Sequence, residues 1–213
     1  MPITELLERN AREYPQDTAL VEINPKVMEH AKVTWKEYSL IETNPMNVGR
    51  QEITWLQFDK KANRFANLLL SRGIKKGDKV AILLMNCLEW LPIYFGVLKA
   101  GAIAVPLNYR YTADEIKYCL ELSEADMLVF GPEFIGRVEE ICGRIPKVKQ
   151  IFYVGESCPT FAESYDYLVK FTLLLSLNLF RLLQSRRSFR WQNALWVYQT
   201  ICPGVYPLRG SPM

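Results

Sequence analysis

The sequence predicts an α/β domain: a mostly parallel sheet with flanking helices. Two observations carry this. Val80-Ala81-Ile82-Leu83-Leu84-Met85 is an unbroken apolar run. A strand buried on both faces needs such a run, and strands of this kind belong to parallel sheets covered by helices. Apolar runs then alternate with helical periodicity as far as residue 169, the order of successive βαβ units. Right-handed crossovers would set the helices on the sheet faces.

Taken in order, residues 5–13 read as a short amphipathic helix. Leu6, Leu7 and Ala11 would share its inner face, and Pro15 would stop it. Thr18 to Ile23 has the β-formers of a strand. Residues 24–50 lose the pattern. Pro25, Asn44, Pro45, Asn47 and Gly49 fit a loop or inserted hairpin, with Val33, Trp35 and Tyr38 alternating on one side, and no function attaches to it. Thr54 and Gln57 then form a capping box. Phe58, Ala62, Phe65 and Leu69 follow at helical spacing until Gly73. Lys75, Lys76, Gly77 and Asp78 make a solvated turn before the long apolar run.

Leu88 to Lys99 reads as a helix with Pro92 near its first turn. Gly101 turns the chain sharply into a second strand, Ala102 to Val105, closed by Pro106. Thr112 and Glu115 cap a helix reaching about Ser123. Met127 to Phe130 is a third strand. Pro132 to Gly143 is a helix with Ile135, Val138 and Ile141 inward. Gln150 to Val154 is a fourth strand, and Thr160 to Val169 a final helix.

Composition narrows the function classes. Hydrophobic residues at 49% and charged residues at 23% exclude a wholly disordered chain. A net charge of +3 is too small to argue for nucleic acid. The charge is unevenly spread. Residues 171–213 hold Arg181, Arg186, Arg187, Arg190 and Arg209 but no Asp, Glu or Lys. Setting those five aside leaves 21 of the 26 basic residues against all 23 acids. Such a break marks a boundary, giving a body of residues 1–170 and a tail of 171–213. The cysteines Cys87, Cys119, Cys142, Cys158 and Cys202 are odd in number and form no CxxC, so free or buried thiols in a reducing compartment are expected. The one histidine, His30, cannot complete a zinc site. Glu5, Glu8, Arg9, Arg12 and Glu13 interrupt the first residues, which therefore do not read as a secretory signal, and a cytoplasmic location is expected.

A sheet of this kind invites a nucleotide site, which needs a glycine-rich turn after a strand so that backbone N–H groups reach phosphate. Asn86-Cys87-Leu88-Glu89 follows the first long run and has no glycine. Gly131-Pro132-Glu133 offers one glycine and an acid that would repel phosphate. A small nucleotide-binding protein is disfavoured on that ground. Asp114 and Glu115 sit in a helix's first turn, where the helix dipole accounts for them. No catalytic, cofactor-binding or metal-ligating residue is assigned.

Ile53-Thr54-Trp55-Leu56-Gln57-Phe58 and Leu98-Lys99-Ala100-Gly101-Ala102-Ile103-Ala104-Val105-Pro106-Leu107 resemble the first and second core motifs of the adenylate-forming superfamily, closest to its acyl-CoA synthetases. Between them, residues 73–82 are similar to the family's G-V-x-x-G-D-x-V-A-I stretch, and Asn108-Tyr109-Arg110-Tyr111-Thr112 to its N-x-R-x-T. The resemblance covers residues 1–169. It implies ATP-dependent joining of a carboxylic acid, fatty or aromatic, to coenzyme A through an acyl-adenylate, with ATP, Mg²⁺ and coenzyme A as the family's cofactors. It also implies a phosphate loop soon after Val169, and none is recognisable from Phe171 to Met213.

The expectation is therefore the N-terminal portion of an acyl-CoA synthetase, inactive alone and prone to self-association through an uncompleted sheet. The alternative is a non-catalytic α/β interaction module with a basic, aromatic tail. The tail's composition fits translation out of frame after about Lys170. Membrane association is the lesser reading, because the apolar run from Leu173 is interrupted by Ser176, Asn178 and Arg181, short of the ~18 residues a span needs. A partner-binding extension is the third.

Overall fold

A computed structural model describes residues 2–23 and 50–171. Helix α1, Ile3–Glu13, buries Leu7 and Ala11, one turn apart. Leu6 is instead 36% exposed, because it lies a full 100° around the helix from that stripe. Strand β1, Thr18–Ile23, runs antiparallel to β2, Arg50–Thr54. Strand β2 answers to no strand expected from the sequence, where Arg50 closes a loop, because Arg-Gln-Glu-Ile-Thr shows little apolar alternation and its partner lies far back in the chain. Residues 24–49 fall outside the described residues. The segment's two ends, Ile23 and Arg50, are paired.

Helix α2, Trp55–Ser71, opens on the expected capping box. The Gln57 N–H donates to Thr54 Oγ1 at 3.3 Å, and the Thr54 N–H donates to Gln57 Oε1 at 2.8 Å. Phe58, Ala62, Phe65 and Leu69 are all buried. Strand β3, Lys79–Leu83, ends earlier than its apolar run, and Met85 beyond it is 39% exposed. Then come α3, Trp90–Lys99; β4, Ile103–Pro106; α4, Ala113–Ser123; and β5, Met127–Phe130. Short 3₁₀ turns flank α5, Ile135–Ile141. Strand β6, Gln150–Tyr153, is followed by β7, Glu163–Ser164, and α6, Tyr165–Phe171. The expected final helix thus starts at Tyr165, and part of the residues assigned to it form an unforeseen fifth strand.

The sheet is parallel throughout, in the order β4-β3-β5-β6-β7. Side-chain alternation divides its core. Ala81, Leu83, Leu128, Phe130 and Tyr153 pack with Ile116, Leu120, Val138 and Ile141, so α4 and α5 cover that face. Val80, Ile82, Met127, Val129 and Phe152 alternate to the other face, where the Phe65 ring of α2 lies 6.4 Å from that of Phe152 and 5.4 Å from that of Tyr165. A smaller cluster of Leu7, Ile53, Phe58, Ala62 and Leu88 ties α1 and the two-stranded sheet to α2.

Strand β4 is an edge strand, and Ile103 is 50% exposed. The N–H groups of Ile103 and Leu107 donate to the carbonyls of Asp78 and Ile82 on the β3 side. By alternation residue 106 faces away from the sheet, where a proline forfeits no ladder bond. Pro106 is thus the last residue of the strand, paired with Ile82, rather than a stop beyond it.

Asp126 pins three strands at their N-terminal ends. Its carboxylate accepts from the Lys79 N–H at 3.0 Å and from Lys149 Nζ at 2.8 Å. Burial works against the charge, but the lysine partners prevail and the carboxyl titrates below the ordinary aspartate value.

Candidate functional site

From β3 the chain passes to β4 on one side, then crosses back to β5 on the other. The connecting helices leave on opposite faces, so a crevice opens at the C-terminal ends of β3 and β5. Ligands of open α/β sheets bind at this position. The flanking chain is Leu84-Met85-Asn86 on one side and Gly131-Pro132-Glu133 on the other. Gly131 is extended, and its N–H donates to the Leu83 carbonyl at 3.1 Å. A Cβ there would meet Glu133 Oε2 at 3.0 Å and Leu84 Cδ2 at 3.1 Å. A leucine and a carboxylate therefore crowd this glycine. The residues do not fit a phosphate cradle, and no step through ATP follows from them. No group of three His, Cys, Asp or Glu able to hold a metal occurs among the described residues.

Beside the crevice, the loop after β4 forms an open cleft of about 360 Å³ lined by Tyr109, Arg110, Tyr111, Thr112 and Arg137. Asn108 starts a tight turn: its carbonyl accepts the Tyr111 N–H at 3.1 Å, and its Oδ1 the Arg110 N–H at 3.0 Å. Arg137 reaches across from α5, stacked over Phe134, and its Nη1 donates to the carbonyls of Tyr109 and Tyr111 at 2.9 and 2.7 Å. Arg110 is exposed, lies over the Tyr109 ring at 5.3 Å, and donates from Nε to the Tyr109 hydroxyl at 2.9 Å. Thr112 caps α4. Its N–H and hydroxyl hold the Glu115 carboxylate, which titrates below the ordinary glutamate range for that reason. One arginine thus fixes the loop and the other is presented to solvent. This arrangement can meet an anionic group but carries no acid, base or nucleophile poised for catalysis.

A second polar group lies where α6 meets the β3–α3 loop. Lys61 pairs with Glu89, and the Gly155 N–H donates to Asp166 Oδ2 at 3.1 Å. Burial pushes the Cys87 thiol above its usual value, against the lowering hydrogen bonds from the Glu89 and Trp90 backbone, so it is a poor nucleophile. Tyr165 is buried, and that burial drives its phenol well above the ordinary range.

The residues weighed from sequence are not gathered into one site. Asp114 and Glu115 stay in the first turn of α4, with Asp114 accepting from Arg144 at 3.3 Å. Cys87, Cys119, Cys142 and Cys158 are free thiols, each half-buried. His30, Cys202 and the tail from residue 172 onward lie outside the described residues. Among those described, no helix is long and apolar enough to cross a membrane.

Two residues escaped the sequence reading. Arg137 gave no signal, since a lysine or arginine on a surface helix is ordinary. Lys99 did give one. It occupies the buried stripe of α3 with Pro92, Ile93, Gly96 and Val97, and a cation on such a stripe demands partners. Glu8 and Asp59 supply them at 2.7 and 2.8 Å.

Comparison with known proteins places this geometry. The profile of the family described as AMP-binding enzyme matches residues 7–167. A medium/long-chain-fatty-acid–CoA/3-oxocholest-4-en-26-oate–CoA ligase of Mycolicibacterium smegmatis is 39% identical over 100 residues, covering 47% of this chain and 18% of that protein. A crotonobetaine/carnitine–CoA ligase of Salmonella paratyphi A is 39% identical over 102 residues, 47% of this chain and 20% of that protein. The anthranilate CoA ligase AuaEII, solved with anthranoyl-AMP, superimposes with a TM-score of 0.65 at 26% identity, over 83% of this chain and 30% of that one. The N-terminal domain of FACL13 from Mycobacterium tuberculosis, at 24% identity and a TM-score of 0.61, shares the fold over 81% of this chain and 36% of its own. The matches thus span about a fifth of the curated relatives and about a third of the solved chains.

Proposed function

The chain belongs to the AMP-binding enzyme family, and from that premise we propose that it is the N-terminal part of an AMP-forming acyl-CoA synthetase, inactive by itself. The parent reaction would activate a carboxylic acid with ATP and Mg²⁺ and pass the acyl group to coenzyme A. One observation carries the reading: the family match runs unbroken through the sheet and its flanking helices. Within that scaffold the described residues supply strand ends and an arginine cleft but no amide cradle for phosphate. The substrate follows the relatives' names only as far as a carboxylic acid joined to coenzyme A, with a fatty acid preferred. A cytoplasmic setting and self-association belong to the same proposal, as does a tail over residues 171–213 without family resemblance, translated out of frame.

The test is ATP–pyrophosphate exchange with the purified 213-residue chain across fatty and aromatic acids. No exchange above a protein-free control is expected. Acid-dependent exchange would overturn the reading, because the formation of an acyl-adenylate needs electrostatic stabilisation that these residues do not offer.

A further inference from the structure

Where α6 meets the β3–α3 loop, the Tyr165 hydroxyl is buried and bonded to no group among the described residues. Its ring is fixed, 2% exposed and edge-on at 5.4 Å to the Phe65 ring of α2. Burial first, then the charges of Glu89 and Asp166, keep the phenol protonated, so it has a proton to donate. A buried hydroxyl without an acceptor is costly, and folded proteins satisfy such groups with protein atoms or with water.

Two carboxylates stand nearby, each already held by one partner. Glu89 pairs with Lys61, and Asp166 accepts the Gly155 N–H at 3.1 Å. A carboxylate offers about four lone-pair sites, so each can accept again. Both charges act on the phenol, yet neither carboxylate reaches hydrogen-bond distance of it. Water suits such a gap, because it accepts from a phenol and has two protons for carboxylates. Solvent reaches the group: the Lys61 and Glu89 side chains are 32% and 21% exposed, and Asp166 is exposed. We propose that an ordered water is bound here, accepting from the Tyr165 hydroxyl and donating to the Glu89 and Asp166 carboxylates. It ties the start of α6 to the β3–α3 loop at the C-terminal end of the sheet.

A crystal structure of the 213-residue chain, with urea unfolding of that chain and of Tyr165→Phe, tests this. The crystal should show a water within hydrogen-bond distance of the Tyr165 oxygen and of both carboxylates. The variant's folding constant should be roughly fivefold lower. A hydroxyl that is dry, that bonds a protein oxygen directly, or whose water misses either carboxylate overturns the proposal. So does a folding constant that is unchanged or raised, since deleting an unpaired buried hydroxyl removes a cost.

Discussion

Gly96 and Lys99, one turn apart on α3, show how closely this helix is fitted. A Cβ at Gly96 would stand 2.9 Å from the Ala62 carbonyl oxygen and 2.9 Å from the Phe65 ring. Backbone cannot yield as a flexible side chain would, so α2 and α3 must separate. Gly96→Ala is expected to cost about 1–3 kcal/mol in urea unfolding, outweighing the gain in helix propensity. An unchanged midpoint would disprove this close approach. Lys99 has a side chain only 2% exposed, between Glu8 at 48% and Asp59 at 16%. Lys99→Met takes the cation from the Asp59 carboxylate, which keeps the Asn63 amide at 2.8 Å, while Glu8 can hydrate. The loss should fall near the lower end of the about 3–5 kcal/mol typical of a broken buried pair. Adding Asp59→Asn should recover part of it, and the double-mutant cycle measures the coupling.

At the scale of the element, the two capping boxes show what local sequence controls. Thr54 and Thr112 each accept an amide three residues on and receive a side chain in return. Thr54→Ala or Thr112→Ala should each cost about 1 kcal/mol, read from urea unfolding. Glu115 adds a pH signature. Its folded pKa lies below the ordinary glutamate value, so its contribution is complete above that value and is lost as pH falls through the depressed one. Glu115→Gln should therefore flatten the acid limb of the stability profile in this window. A profile unchanged by the substitution would contradict the capping role.

For the whole molecule, the two ends of the sheet matter. At one edge, Pro106 removes an outward donor from β4; at the other, β7 is two residues long. Both devices blunt strand addition. Self-association would then fall to apolar surface, of which Ile103, Tyr118 at 62% exposure and Leu122 at 70% are the prominent described members. Light scattering of the purified chain should show oligomers, and Tyr118→Ser with Leu122→Ser should reduce them. A monodisperse monomer would refute the proposal. At this scale an Arg72–Glu163 pair, with contacts of 2.6 and 3.2 Å, also fastens the end of α2 to β7.

The sequence by itself determined the α/β class, the four apolar strands, the capped helices and the likeness to acyl-CoA synthetases. These rest on signals within a few residues: apolar runs, helical spacing and caps. It also led to the expectation that no phosphate cradle lies in this chain, since a cradle needs glycines close together. Only the tertiary structure decided the strand order, the crevice between β3 and β5, and the pairing of β2 with β1. It alone brought Arg137 to the carbonyls of Tyr109 and Tyr111, Lys99 to Glu8 and Asp59, and Gly96 to Ala62. Each of those contacts joins elements distant in the chain, and a partner across such a gap leaves no trace in local pattern.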